Sequence, residues 1–176
     1  MTAPDPTLRR IVFVTGPSGA GRSSALNVLE DAGFEVIDNL PMRLMPMLFD
    51  EVDQPRTLAL GIDARNRDFS TNTVIDLLGR LSMRAGIVAE LLFVDCSTDV
   101  LLRRFSETRR RHPMAPADRP AEGIQAEQDL LAPLRARADA GHRLARDARV
   151  ALDDAVACGS EPRVGAGQGP HVAPPR

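Results

Sequence analysis

The feature that most constrains this chain is Gly16-Pro17-Ser18-Gly19-Ala20-Gly21-Arg22-Ser23, a glycine-rich turn set between an apolar run and a helical pattern. The run from Arg10 to Thr15 (RIVFVT) is short and β-branched, which predicts a buried strand ending in a turn. From Ser23 to Ala32, the apolar residues Ala25, Leu26, Val28, Leu29 and Ala32 recur near helical spacing, and Gly33 supplies a stop. A strand that runs through such a turn into a helix N-terminus is built to hold phosphate. Gly16, Gly19 and Gly21 allow backbone paths that point successive N–H groups inward, and the helix adds its partial positive charge. The octet has the spacing of the Walker A motif at every position but one: Arg22 stands where that motif has lysine. Arginine stays cationic and binds phosphate well, but its planar fork is bulkier than an ammonium. The expectation is that phosphate binding survives and fast hydrolysis does not. Ser23 is placed to offer its hydroxyl to a magnesium ion. A plain Gly-rich connector is the competing reading, weakened by the strand-to-helix setting of the loop.

The rest of the chain repeats the alternation. Phe34 to Ile37 reads as a second strand, broken by Asp38-Asn39-Leu40-Pro41, with Pro41 at the entry of a helix over Met42 to Val52. Thr57 to Ile62 (TLALGI) is a third strand and ends in Asp63. The stripe Val74, Ile75, Leu77, Leu78 and Leu81 predicts a helix over Asn72 to Arg84, and Glu90 to Asp95 is a fourth strand. Thr98 or Asp99 can cap a helix through Leu101, Leu102 and Phe105, and a last helix lies between Ala121 and Ala138. Strands alternating with helices imply a three-layer α/β P-loop NTPase fold. Its parallel sheet would have four strands, with the nucleotide at their C-terminal ends.

Composition bounds the partners. The 176 residues are 43% hydrophobic, enough for one core, and the net charge of -2 gives no bulk attraction to nucleic acid or an anionic membrane. No run approaches the roughly 18 apolar residues that span a bilayer, and Met1 to Arg10 lacks the apolar stretch of a secretory signal. The expectation is therefore no membrane partner and a cytoplasmic location. Cys96 and Cys158 lack metal or redox spacing and read as free thiols.

Two carboxylates end strands where they could orient magnesium through its waters, Asp63 and Asp95; Asp63 is preferred, and each could equally be a polar strand end or cap. Asp38 carries the same ambiguity. Arg103, Arg104, Arg109, Arg110 and Arg111 form a cationic cluster with three readings: a lid over nucleotide phosphates, a contact to an RNA backbone, or a solvated helix end. The lid is favoured. Phe105 shares the apolar stripe of Leu101 and Leu102, which makes it core rather than a base-stacking platform. No general base can be named.

The segments GPSGAGRSSALNVLEDAGFEVIDNLP, IDARN and RRFSETRRRHP together resemble one family, the P-loop RNase adapter proteins of the RapZ type, from about Arg10 to Asp139. The stretch from Leu29 to Pro41 and the TRRRHP segment are far less generic than the loop. The resemblance implies that residues Gly16 to Ser23 bind ATP or GTP with Mg2+. It implies also that Asp63, Ala64, Arg65 and Asn66 form a second nucleotide motif, of guanine-nucleotide or Walker B type, with Ser23 and Asp63 serving the metal. Members are similar to weak NTPases. Some bind a small RNA and present it to an endoribonuclease, coupling amino-sugar supply to transcript turnover. That role rests largely on a C-terminal domain which this chain is expected to lack. The function expected is a nucleotide-binding regulator with weak NTPase activity. A small-molecule kinase using Asp38 and the arginine segment, or a binding module without turnover, are the alternatives. Oligomeric state and the choice between ATP and GTP stay open.

Residues 1–139 are thus expected to form the P-loop domain, and residues 140–176 an aberrant or disordered tail. After Asp139 the family continues with a fifth strand of the type LVIDS, whereas this chain reads AGHRLARDARVALDDAVACGS. Codons for that stretch can be chosen so that dropping one base gives LVIDSREMREW. The expectation is a one-nucleotide slip near the codon for Ala140, a missing fifth strand, and out-of-frame translation from Gly141 to Arg176. Gly159 to Arg176, rich in Gly, Pro, Ala and Arg, has no apolar periodicity.

Overall fold

The computed structural model describes residues 9–50, 57–108, 112–115 and 119–140. Arg109, Arg110, Arg111, Cys158 and the whole expected tail from Gly141 lie outside the described residues.

Strand β1 (Arg9–Thr15) leads through the glycine-rich loop into helix α1 (Arg22–Asp31), followed by β2 (Glu35–Asp38). A 3-10 turn at Met42–Leu44 precedes helix α2 (Met45–Asp50), so the helix expected from Met42 begins as a tighter turn. Then come β3 (Leu58–Gly61), α3 (Thr71–Ser82), β4 (Ile87–Phe93), α4 (Thr98–Thr108) and α5 (Pro120–Ala140). All pairings are parallel, in the order β2-β3-β1-β4. The fourth strand starts earlier than its apolar run suggests, because Ile87 to Phe93 pair in register with all of β1, from Arg9 to Thr15.

Period-two alternation divides β1 between two cores. Ile11 and Phe13 face a layer with Met45, Val74, Leu77, Leu78 and Leu81, while Val12 and Val14 face Leu26, Leu29 and Leu101. Each fully buried Leu or Phe side chain is worth roughly 1.5–3 kcal/mol of transfer free energy, so the two layers together fix the sheet. Helix α5 supplies Ile124 to the second core and Leu131 and Leu134 to the first. It contacts β4, α3 and α4, fastening both layers at the β4 side of the sheet. Ser70 caps α3 by accepting the Thr73 N–H at 3.4 Å. Cys96 is a free thiol packed in the second core, and its burial pushes the thiol pKa up.

The connections run from β1 toward β2 on one side and from β3 across to β4 on the other, making a switch point beside β1. Open α/β sheets bind ligands at the C-terminal ends of strands at such a point. The glycine-rich loop, Asp63 and Asp95 all follow strand C-termini.

Candidate phosphate site

The loop is locked in place from below. Thr15 Oγ donates to the Ile62 carbonyl at 3.2 Å, Ile62 N–H donates to Val14 O at 2.8 Å, and Val94 N–H donates to Thr15 O at 2.8 Å. Gly16 passes so close to the end of β4 that a Cβ on it would lie 2.0 Å from the Val94 oxygen. Gly19 and Gly21 take φ values of +87° and +109°, the left-handed region that favours glycine. Gly21 is also the residue from which α1 departs, and no side chain caps that helix start, so its first N–H groups open toward the loop.

A cleft of about 400 Å³ lies over this turn, lined by loop residues together with Asp63, Arg65, Arg104, Phe105, Thr108 and Pro113. The volume is within the range of small-molecule sites. Pro17, Ser18, Gly19, Gly21, Arg22 and Ser23 line it, whereas Ala20 is buried beneath. Arg104 reaches across from α4 and donates to the Gly19 carbonyl at 2.6 Å. The favoured lid position of the arginine segment thus has a described member at the cleft. Phe105 does more than pack in a core. It meets His112 with ring centroids 4.9 Å apart, and its ring lies at van der Waals distance from where a Gly19 Cβ would be.

Arg22 turns to the carboxylates at the strand ends. Its Nη2 donates to Asp63 Oδ2 at 2.9 Å and lies 3.6 Å from Asp38 Oδ1, and its Nη1 donates to the Ile62 carbonyl at 3.2 Å. Its Nε is buried with no hydrogen-bond partner among the described residues. An orphaned buried donor costs about 1–3 kcal/mol, which an added acceptor would recover.

Asp63, 3% exposed, accepts from Arg22, from Arg65 N–H at 2.9 Å, and from the Arg65 guanidinium at both oxygens. Burial alone would raise its pKa, but hydrogen bonds from the Arg65 side chain and backbone, and then from Arg22, outweigh it and hold the carboxyl well below the usual carboxylate range. The same pairing raises the Arg65 pKa. The other two residues of the expected second motif divide: Ala64 packs against the first core, and Asn66 Nδ2 donates to the Leu40 carbonyl at 3.2 Å, tying the motif to the DNLP break. Asp95 is drawn elsewhere, accepting from Arg135 at 2.6 Å and from Cys96 N–H at 2.8 Å.

These residues fit a bound phosphate: a glycine cradle, a helix start, Arg22 with a spare donor, and Arg104 opposite. For a magnesium ion the fit is partial. Ser23 is exposed at the start of α1 and lines the cleft. Both Asp63 oxygens, however, are taken by guanidinium donors, so a metal-bound water there requires an arginine to withdraw. Among the described residues no cluster of three or more His, Cys, Asp or Glu side chains could hold a metal, and no helix is long and apolar enough to cross a membrane.

The residue missed in the sequence is Glu127 on α5. Ser18 donates to it through both N–H and O–H, each at 2.8 Å, and His112 Nε2 lies 3.0 Å away. Its signal was there: Ile124, Glu127, Leu131 and Leu134 are spaced three, four and three apart, which sets a carboxylate in a buried helical stripe.

Comparison with known proteins bears on the same residues. The family model for the RapZ-like N-terminal domain matches residues 9–144. A nucleotide-binding protein of Roseobacter denitrificans is 67% identical over 139 residues, covering 79% of this chain and 47% of the relative. A nucleotide-binding protein of Dinoroseobacter shibae is 59% identical over 140 residues, covering 78% and 47%. The chain spans about half the length of the curated relatives it matches. Among solved structures, a shikimate kinase from Acinetobacter baumannii superposes with a TM-score of 0.47 at 16% identity, covering 87% of this chain and 94% of that one.

Proposed function

This chain belongs to the family defined by the RapZ-like N-terminal domain, and from that membership and the cleft we propose that it is an ATP- or GTP-binding regulatory protein with weak NTPase activity. The observation that carries the reading is the loop itself: left-handed glycines at 19 and 21 opening an uncapped helix start beneath a cleft of ligand size. The names of its relatives, nucleotide-binding proteins, agree with it.

In this reading the phosphates are held by the α1 N-terminus and by the loop N–H groups other than those of Ser18 and Ala20, which donate to Glu127 and the Pro17 carbonyl. Arg22 exchanges Asp63 for phosphate oxygens, and Arg104 adds charge from α4. Ser23, and Asp63 once the Arg65 guanidinium as well as Arg22 has left it, would hold a magnesium ion, which would supply charge neutralisation at the phosphates. Weak turnover follows from Arg22, whose planar fork is bulkier than the ammonium that the Walker A motif places there. The adapter role, with a small RNA and an endoribonuclease as partners in a cytoplasmic setting, is proposed for the longer family product. The domain would then run to residue 139, with the segment from 140 arising from the one-base slip; resequencing across the codons for Arg137 to Gly159 decides this, and an unchanged frame removes the slip.

The test of nucleotide binding is calorimetric titration of the full chain with magnesium-ATP and magnesium-GTP, alongside Arg22→Ala. Saturable binding weakened at least tenfold by Arg22→Ala is expected, about 1.4 kcal/mol for a charge-assisted contact. No binding to either nucleotide refutes the reading.

A further inference from the structure

The proposed phosphate binding leaves unused a buried carboxylate directly behind the loop. Glu127 is 1% exposed, and three donors converge on it: Ser18 N–H and the His112 ring at Oε2, and the Ser18 hydroxyl at Oε1. The histidine tautomer follows from its other contact. His112 Nδ1 accepts the Met114 N–H at 3.2 Å, so in the neutral ring the hydrogen is on Nε2 and is donated to Glu127. One turn earlier on α5, a Cβ at Gly123 would lie 2.6 Å from His112 Nδ1 and from Ala115 Cβ. Helix α5 thus grips the segment 112–115 at Gly123 and, through Glu127, grips the tip of the phosphate loop.

This arrangement fixes a hydrogen. A serine hydroxyl has one, and Ser18 spends it on Glu127, so only its lone pairs are left for any ligand in the cleft. A phosphate is anionic and accepts hydrogen bonds; it meets an acceptor at Ser18 and a formal negative charge one side chain behind. Glu127 also draws on Arg65, whose pKa it helps to raise. We propose that Glu127 is a positioning residue that restrains the phosphate site, turning the Ser18 hydroxyl away from the ligand and lowering affinity for nucleotide. The inference rests on the phosphate-binding reading.

Glu127→Gln separates restraint from support. The amide oxygen in place of Oε2 still accepts from Ser18 N–H and His112 Nε2–H. The amide nitrogen in place of Oε1 donates to Ser18 Oγ, whose hydrogen is released to the cleft. The packing stays, the charge goes, and the hydroxyl reverses. Titration of the full chain with magnesium-ATP and magnesium-GTP should show Glu127→Gln binding about tenfold more tightly than wild type, as expected for one hydrogen bond gained to a charged group. Adding Ser18→Ala to Glu127→Gln should remove most of that gain. A residue that merely supports the loop would give weaker or equal binding in Glu127→Gln, and that result overturns the inference. Should Glu127→Gln fail to show a cooperative thermal transition, Ser18→Ala alone serves. By removing the lone pairs it should tighten binding about twofold, and weaker binding overturns the inference. Binding by wild type without gain in the variants sinks this inference alone; no binding by any of the proteins sinks the phosphate reading as well.

Discussion

Replacing Gly16 by alanine should unfold the site from its base. The new Cβ would sit 2.0 Å from the Val94 oxygen and 3.0 Å from the Val94 carbonyl carbon, both backbone atoms. An ordinary carbon–oxygen contact is about 3.3 Å, so the loop and the end of β4 must part by roughly 1.3 Å. That movement strains the Val94 N–H to Thr15 O bond, 2.8 Å long, which continues the β1–β4 ladder. Overpacking of this kind costs about 1–3 kcal/mol, the φ of +156° adds strain of order 1 kcal/mol, and the weakened bond about 1 kcal/mol more. A destabilisation of roughly 3–5 kcal/mol, or a fall in Tm of about 6–20 °C, is expected. Gly79→Ala is the matched control: it lies within α3 with nothing within 4 Å of the added Cβ, and should stabilise by about 0.5–1 kcal/mol. Thermal and urea denaturation followed by circular dichroism measure both. If Gly16→Ala unfolds within about 0.5 kcal/mol of wild type, the close approach of loop and strand described above is wrong.

Two further outcomes follow from the charges around the cleft. Asp63→Asn breaks a buried pair and should cost about 3 kcal/mol near neutral pH. Because the folded carboxyl titrates below its unfolded value, the stability it contributes is fully present above the ordinary carboxylate pKa of about 4 and is lost as pH falls through the folded value. The gap between the urea midpoints of wild type and Asp63→Asn should therefore be constant above about pH 5 and shrink in stronger acid; a gap that widens as pH falls contradicts the pairing. Arg104→Ala removes the donor to Gly19 and should weaken magnesium-GTP or magnesium-ATP binding about fivefold with little change in Tm, read by displacement of a fluorescent nucleotide; equal affinity removes Arg104 from the site.

Much of this fold was legible because buried parallel strands announce themselves. RIVFVT and TLALGI are apolar runs bounded by turns, and they became β1 and β3 within a residue at either end. The 42–52 helix was less legible, since Pro41 to Leu44 give no local sign that the first turn tightens. The strand order could not be read, because adjacency depends on contacts between segments far apart in the chain. The strand-to-helix setting of the glycine-rich loop and the place of Asp63 after a strand were visible in the sequence. That Arg22, in the cleft wall, pairs with Asp63 was not, since it depends on how two strand ends meet across the sheet. Glu127 and His112 show the same limit. The apolar stripe marks Glu127 as buried, but only the fold brings it to Ser18 and sets His112 against it.

The contact between Ser18 and Glu127 spans 109 residues of chain. On a ribosome adding 5–20 residues per second, the codon for Glu127 is read roughly 5–20 s after that for Ser18. During that interval the nascent chain holds the whole glycine loop without the helix that clasps it. Translation speed therefore sets how long a growing chain carries an unclasped glycine loop.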